Sequence, residues 1–230
     1  MNMKSFIGSL RGLVVALCLL HLWPTSCFAL QGKVGNLTWQ LSEDSTMLVI
    51  SGKGYMQDCI YARDIAWYPF RNRVKTLVLS EGVSNVGNRC FEDFVQLSTL
   101  NLPSSIVAIG VEAFSGCSSL ESVSIPNGVT NIWYGAFSGC SGLVSVDIPK
   151  TVSNIGSGVF EGCASLSMLR IPSGVTSVAR NLCSGCTNLA KVIRRTRQTL
   201  WSAVQMLTQK LCCQTIHDCP KVVPLHYESE

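Results

Sequence analysis

The chain has 230 residues and a formal net charge of +4, yet only 14% of its residues are charged, well below the quarter usual for soluble domains. The repeat body is near neutral and has no basic stripe of the kind that nucleic-acid binding needs, so no nucleic-acid partner is expected. The length suits one domain, unless the chain is built of repeats, which follow no globular size rule.

Residues 1–29 read as a secretory leader. Lys4 and Arg11 precede the apolar run Leu13–Leu20, and Cys27 and Ala29 offer small residues for cleavage after Ala29. The run is too short to span a bilayer, which takes about 20 apolar residues. A lipid anchor on Cys27 is the alternative, and Pro24 disfavours it, because lipoprotein signals prefer Leu at that place. The expected location is therefore extracytoplasmic, either secreted or at the cell surface, with no transmembrane segment in the mature chain.

Residues 30–73 read as an N-terminal cap. Thr38–Leu41 and Met47–Ile50 flank the polar stretch Ser42–Thr46, which is a hairpin pattern. Trp67 and Phe70 follow, and they are expected to plug the open end of what comes next.

From Val74 to Ile193 the chain is periodic. Units start at Val74, Leu97, Leu120, Leu143 and Leu166, each 23 residues after the last, and a partial unit starts at Leu189. A fixed period of this size marks a solenoid. Position 4 holds Leu77, Leu100, Val123, Val146 and Leu169, and position 6 holds Leu79, Leu102, Ile125, Ile148 and Ile171. The residue between them varies. This alternation predicts a strand with two side chains inward and one outward. Proline at position 7 ends the strand in four units (Pro103, Pro126, Pro149, Pro172). A second inward pair follows, as in Val129 with Ile132. Gly87, Gly110 and Gly156 are expected to permit a corner. Phe114, Phe137 and Phe160 supply inward bulk, and Gly116, Gly139, Gly162 and Gly185 close the coil. A single coil cannot bury its apolar side. A stack of coils can.

The unit LxxVxIPxxVTxIGxxAFxGCxx resembles the BspA-type leucine-rich repeat. The likeness is close over 97–165, good from 166, and degraded at 74. The segment Ser51-Gly52-Lys53-Gly54-Tyr55-Met56 and the pair Trp67-Tyr68 stand before the first repeat as similar segments do in that family. The resemblance implies a mostly β fold: a right-handed leucine-rich-repeat solenoid with a parallel sheet, an N-terminal β-hairpin cap and short helical turns. It also implies a surface or secreted protein engaged in adhesion or host–microbe interaction.

Four cysteines share one column: Cys117, Cys140, Cys163 and Cys186. Stacked strands lie about 4.8 Å apart. Side chains pointing in parallel would leave Cβ atoms about as far apart, beyond the roughly 3.8 Å mean of a disulfide. Buried free thiols are expected instead. Cys183 with Cys186 has C-x-x-C spacing, but no second pair or nearby His makes it a metal site.

Register fails at the end. Arg194 falls on an inward position and Arg195 on the proline position, so the solenoid is expected to stop near Ile193. Residues 194–230 read as an irregular or partly helical tail, with Leu200, Trp201, Val204, Leu207 and Leu211 at helical spacing. The abrupt loss of register also fits a truncated or frameshifted coding sequence.

Catalysis finds no constellation. The three histidines (His21, His217 and His226) lie outside the repeats, and no base stands ready to activate a serine. No cofactor motif occurs. Positions 3 and 5 instead give an outward surface of Thr76, Val78, Thr99, Asn101, Ser122, Ser124, Ser145, Asp147, Met168 and Arg170. Asn101, Ser124, Asp147 and Arg170 are the candidate binding residues on it. Trp133 and Tyr134, which break the glycine corner, are a separate candidate, being favoured hot-spot types. The expected function is non-catalytic binding of an extracellular protein or glycan. The alternatives are a structural fragment of a longer repeat protein and an accessory domain of an extracellular enzyme.

Overall fold

A computed structural model describes residues 28–179, 181–194 and 225–226. Most of the expected leader, and the helix expected around 200–211, lie outside them.

The first three strands form an antiparallel meander. They are β1 (Phe28–Val34), β2 (Leu37–Ser42) and β3 (Met47–Gly52). The hairpin β2–β3 turns where Asp44 accepts hydrogen bonds from the Ser42 hydroxyl at 2.7 Å and the Thr46 hydroxyl at 2.8 Å. β3 then pairs in parallel with β4 (Thr76–Leu79), setting Leu48 beside Leu77 and Ile50 beside Leu79. The cap thereby supplies a coil of its own beneath the first repeat. Two single 3-10 turns, Ala62–Asp64 and Tyr68–Phe70, complete it.

The first four repeats each contribute one strand to each of two rows, and the fifth contributes to the first row alone. The second row is one parallel sheet of β5 (Asn85–Val86), β7 (Ala108–Ile109), β9 (Asn131–Ile132) and β11 (Asn154–Ile155), with Val86, Ile109, Ile132 and Ile155 in one register and all buried. The first row divides. β6 (Thr99–Asn101) pairs with β4, closing a five-stranded sheet with the cap. β8 (Ser122–Ser124), β10 (Ser145–Asp147), β12 (Met168–Ile171), β13 (Lys191–Arg194) and β14 (Leu225–His226) form another. At the division the inward Leu100 and Leu102 are only half-buried, while their counterparts in the other units are buried. Near the far end, β13 carries the ladder one residue past Ile193, with Arg194 opposite Ile171. The aperiodic tail returns as β14, parallel to β13.

The third side of each coil is not a strand, yet it is hydrogen-bonded. The N–H of Glu112 donates to the Tyr134 carbonyl, that of Phe114 to Ala136, and that of Gly116 to Ser138. Left-handed residues set this geometry at two columns. One holds Asp93 (φ 62°), Gly116, Gly139, Gly162 and Gly185, where glycine carries no Cβ penalty. The other holds Arg89, Glu112, Gly135, Gly158 and Asn181, all at φ 51–63°. Gly87, Gly110 and Gly156, expected to be conformational corners, have ordinary φ. They are glycine because of close approach: a Cβ on Gly156 would lie 2.5 Å from the Tyr134 backbone nitrogen.

The core is a column of rings. Trp67, Phe91, Phe114, Phe137 and Phe160 stack in sequence, with centroids 5.5–6.0 Å apart and planes within 17°. Trp67 takes the phenylalanine place in the cap coil and is fully buried, and Phe70 packs half-buried against the core. The column cysteines lie beside the rings, and each thiol donates to a phenylalanine carbonyl: Cys140 to Phe114 at 3.2 Å, Cys163 to Phe137 at 3.2 Å, Cys186 to Phe160 at 3.0 Å. They are hydrogen-bonded thiols and not merely small apolar fillers.

Candidate functional site: the outward face of the first strand row

The outward face follows from the strand period. Ser124 pairs in register with Asp147. Ser145 pairs with Met168 and Val146 with Leu169, so the same register places Asp147 level with Arg170. Ser122, Ser124, Ser145, Asp147 and Arg170 are exposed, and Met168 is half-buried. Three of the named candidates, Ser124, Asp147 and Arg170, thus occupy one column, but Asn101 belongs to the other sheet, across the division. It is half-buried, and its amide nitrogen is buried without a hydrogen-bond partner.

Val78, outward by its column, is fully buried. It packs with Met47 and Val49, and Phe28 lies against the three. The sequence period places Val78 outward correctly. It cannot show that β1 leaves Phe28 over that end of the face. With Phe28 in place the accessible surface begins at Thr99; cleavage after Ala29 would remove that cover.

Trp133 and Tyr134 are brought together at the end of β9, in the second row, and are not on the face of the first. They are 45% and 51% exposed. The Trp133 N–H donates to the Ile109 carbonyl and the Tyr134 carbonyl accepts from Glu112, so their backbone is held while the rings project. These are two surfaces and not one site.

A polar row went unnoticed in the sequence. The outward column of the second sheet holds Asn85, Ala108, Asn131 and Asn154, bordered by Ser84, Thr130 and Ser153. The recurring Asn–aliphatic dipeptide was the available signal. Asn85 is committed to structure, because its side chain bonds both the N–H and the carbonyl of Met56.

Electrostatics are sparse. The ion pair Arg89–Glu112 at 2.6 Å joins the third side of two coils, and Glu112 holds the guanidinium above its ordinary value. Burial pushes the Cys117, Cys140 and Cys163 thiols up, away from the thiolate form. Cys186 is lowered, chiefly by its hydrogen bond from Cys183. Among the described residues, no group of three or more His, Cys, Asp or Glu side chains is placed to hold a metal. No helix among them is long and apolar enough to cross a membrane. A cleft of about 380 Å³ lies in the cap, lined by Asp58, Cys59, Ile60 and Asp64 among others.

Residues 63–195 match the family model of the BspA type leucine rich repeat region, in six copies. The fold is similar to that of a T. pallidum leucine-rich repeat protein, at TM-score 0.58 and 23% identity, over 77% of this chain and 96% of that one. It is also similar to PcpA, described as a pneumococcal vaccine antigen, at TM-score 0.52 and 20% identity, over 86% of this chain and 47% of that one. At such identities the likeness is one of fold. No curated protein sequence matches the chain.

Proposed function

The chain belongs to the BspA-type leucine-rich repeat family, and from that premise we propose that it is an extracytoplasmic, non-catalytic binding module. It is secreted or held at the cell surface, and it engages an extracellular polypeptide or glycan. The observation that carries this reading is the contrast between columns. The inward positions of the first strand row repeat one apolar chemistry and are buried, apart from the half-buried Leu100 and Leu102. The outward positions from Thr99 to Arg170 are mostly small and polar, and the one in mid-strand differs in each coil: Asn101, Ser124, Asp147 and Arg170.

Such a face makes many modest hydrogen bonds along an extended ligand and encloses no small molecule. Binding energy in flat interfaces concentrates in few residues. Asp147 and Arg170, the charges on the face, are one candidate centre, with Ser124 and Asn101 on its flank. Trp133 and Tyr134 are the other. The description of PcpA as a vaccine antigen concerns that protein, and it is compatible with a surface location here.

The test is to present the purified protein to immobilised extracellular-matrix polypeptides and, separately, to glycans. The variant Asn101→Ala/Asp147→Ala/Arg170→Ala is run beside Trp133→Ala/Tyr134→Ala. Loss of a hot spot should weaken binding at least about tenfold, or roughly 1.4 kcal/mol. Binding that neither variant weakens removes both surfaces. A folded protein that binds nothing in either panel removes the binding reading.

A further inference from the structure

Two described cysteines belong neither to the repeat column nor to the C-x-x-C pair. Cys59 lies in the cap, and Cys90 occupies the column that is Ala113 and Ala136 in the next coils. Their sulfurs are 3.9 Å apart. The repeat cysteines point in parallel, each toward a carbonyl. Cys90 also reaches a carbonyl, that of Gln57 at 3.2 Å, but the cap segment is outside the repeat, so nothing imposes that direction on Cys59, and its sulfur lies against that of Cys90.

The backbone around the pair is already fixed. The Cys59 N–H donates to the Asn88 carbonyl at 3.1 Å. The Asn88 N–H donates to Asp58 Oδ1 at 2.9 Å, and Arg89 Nη1 donates to the Ile60 carbonyl at 2.7 Å. On the other side, the Trp67 indole N–H donates to the Cys90 carbonyl at 2.9 Å. These bonds hold the two segments side by side, and closing the 3.9 Å gap to the roughly 2.05 Å of a disulfide is the movement the latch requires.

Access is unequal. Cys59 is half-exposed and lines the cleft of about 380 Å³, whereas Cys90 is buried. The contact with Cys90 favours the Cys59 thiolate, opposed by burial and by Asp64 and Asp58. The same contact, with burial, holds the Cys90 thiol well above its ordinary value. One sulfur is reachable and partly activated, and the other is reachable only through the first. That is the arrangement of an attacking and a resolving cysteine.

We propose that Cys59 and Cys90 form a thiol–disulfide exchange site whose product is a covalent latch between the cap and the first coil. The oxidant is a small disulfide, RS–SR. The Cys59 thiolate attacks one of its sulfurs, the S–S bond breaks, and RS⁻ leaves with the proton that Cys59 gave up. The mixed disulfide Cys59–S–S–R remains. Cys90 then loses its proton, its sulfur attacks the Cys59 sulfur, and the second RS⁻ leaves and takes up that proton. Two cysteine thiols are oxidised to one disulfide, and RS–SR is reduced to two RSH. An oxidising extracytoplasmic compartment would maintain the latch. That setting rests on the function proposed above, but the chemistry does not.

The experiment treats the reduced, purified protein with glutathione disulfide and maps cross-linked peptides by mass spectrometry. The expected product joins Cys59 to Cys90, with the chain lighter by two hydrogens and its thermal midpoint raised. The Cys183–Cys186 pair is read on a different peptide. In Cys90→Ser the reaction should stop at a stable glutathione adduct on Cys59, and in Cys59→Ser the Cys90 thiol should stay unmodified under native conditions. Absence of the Cys59–Cys90 peptide from the wild-type protein overturns the proposal without recourse to either variant. So does an adduct on Cys90 in folded Cys59→Ser. Neither result bears on ligand binding, so this site and the binding face fail separately.

Discussion

Truncation of Phe137 tests the stacked core most directly. The ring is fully buried, between Phe114 at 5.5 Å and Phe160 at 6.0 Å, nearly parallel to both. Phe→Ala in a core costs about 3–5 kcal/mol, and more where the site cannot collapse. Collapse is resisted here. The Phe114 N–H is bonded to Ala136 and the Phe137 N–H to Val159, which fixes the spacing of the coils on either side. Two ring–ring contacts are lost as well, each worth about 0.5–1.5 kcal/mol beyond area burial. Phe137→Ala should therefore fall in the upper part of the range, near 4–5 kcal/mol. With a urea slope of about 2 kcal/mol/M, the unfolding midpoint followed by far-UV circular dichroism should drop by about 2 M. A double-mutant cycle sharpens the argument. Phe114→Ala with Phe137→Ala should show coupling, while Phe91→Ala with Phe160→Ala, two rings apart, should add. A midpoint shift below about 0.5 M at unchanged slope, or additivity at the adjacent pair, would refute the ladder as the source of stability.

Three further outcomes are expected. Native maleimide labelling should miss Cys117, Cys140 and Cys163 while denatured labelling finds them, since burial both hides these thiols and disfavours their thiolates; an intact-mass bridge between column members would contradict the parallel geometry. Gly139→Asn should be milder than Gly156→Asn in thermal midpoint, because Asp93 already occupies the Gly139 column at φ 62° whereas Gly156 has backbone where a Cβ would go; equal loss would show that one mechanism serves both glycines. Asp44, held low chiefly by the Ser42 hydroxyl, and Glu81, held low chiefly by the Ser104 N–H, stabilise the fold above the ordinary carboxylate value of about 4, and that contribution fades as pH falls through their lower folded values; Asp44→Asn should flatten the stability–pH curve below about pH 4, and an unchanged curve would remove the assignment.

The sequence was most informative where each residue is constrained by its counterparts one period away. Leu77, Val123, Val146, Leu169 and Phe137 were placed inside by column alone, and they are buried. Two kinds of feature escaped. The first is conformation without a shared chemistry. Arg89, Glu112, Gly135, Gly158 and Asn181 have one backbone geometry but four residue types, so the column looks variable. Hydrogen bonds to the next coil hold Arg89 and Glu112 at positive φ, and the ion pair between them adds a contact. The second is contact with non-repeating chain. The cap coil pairs with the first repeat at an offset of 29 residues, as Met47 with Thr76 shows, so a 23-residue period cannot find it. The cover of Phe28 over Val78 and the approach of Cys59 to Cys90 escaped for the same reason.

In a solenoid, then, repeated columns specify the scaffold, and departures from them carry what is particular to the chain. Trp133 illustrates the distinction. At its column Gly87, Gly110 and Gly156 have backbone where a Cβ would go, but the Trp133 ring projects outward and remains nearly half exposed. The core draws little from it: the rings that stack are Trp67 and the four phenylalanines. The exposed part of such a side chain stabilises nothing by burial until something covers it. The same reasoning separates Cys59 and Cys90 from the cysteine column, whose members are each tied to a phenylalanine carbonyl. Asp147 and Arg170 stand apart in the same way, as charges on a face whose other exposed residues are serine and threonine. These are positions where a substitution can change recognition or redox chemistry while the stack stays intact.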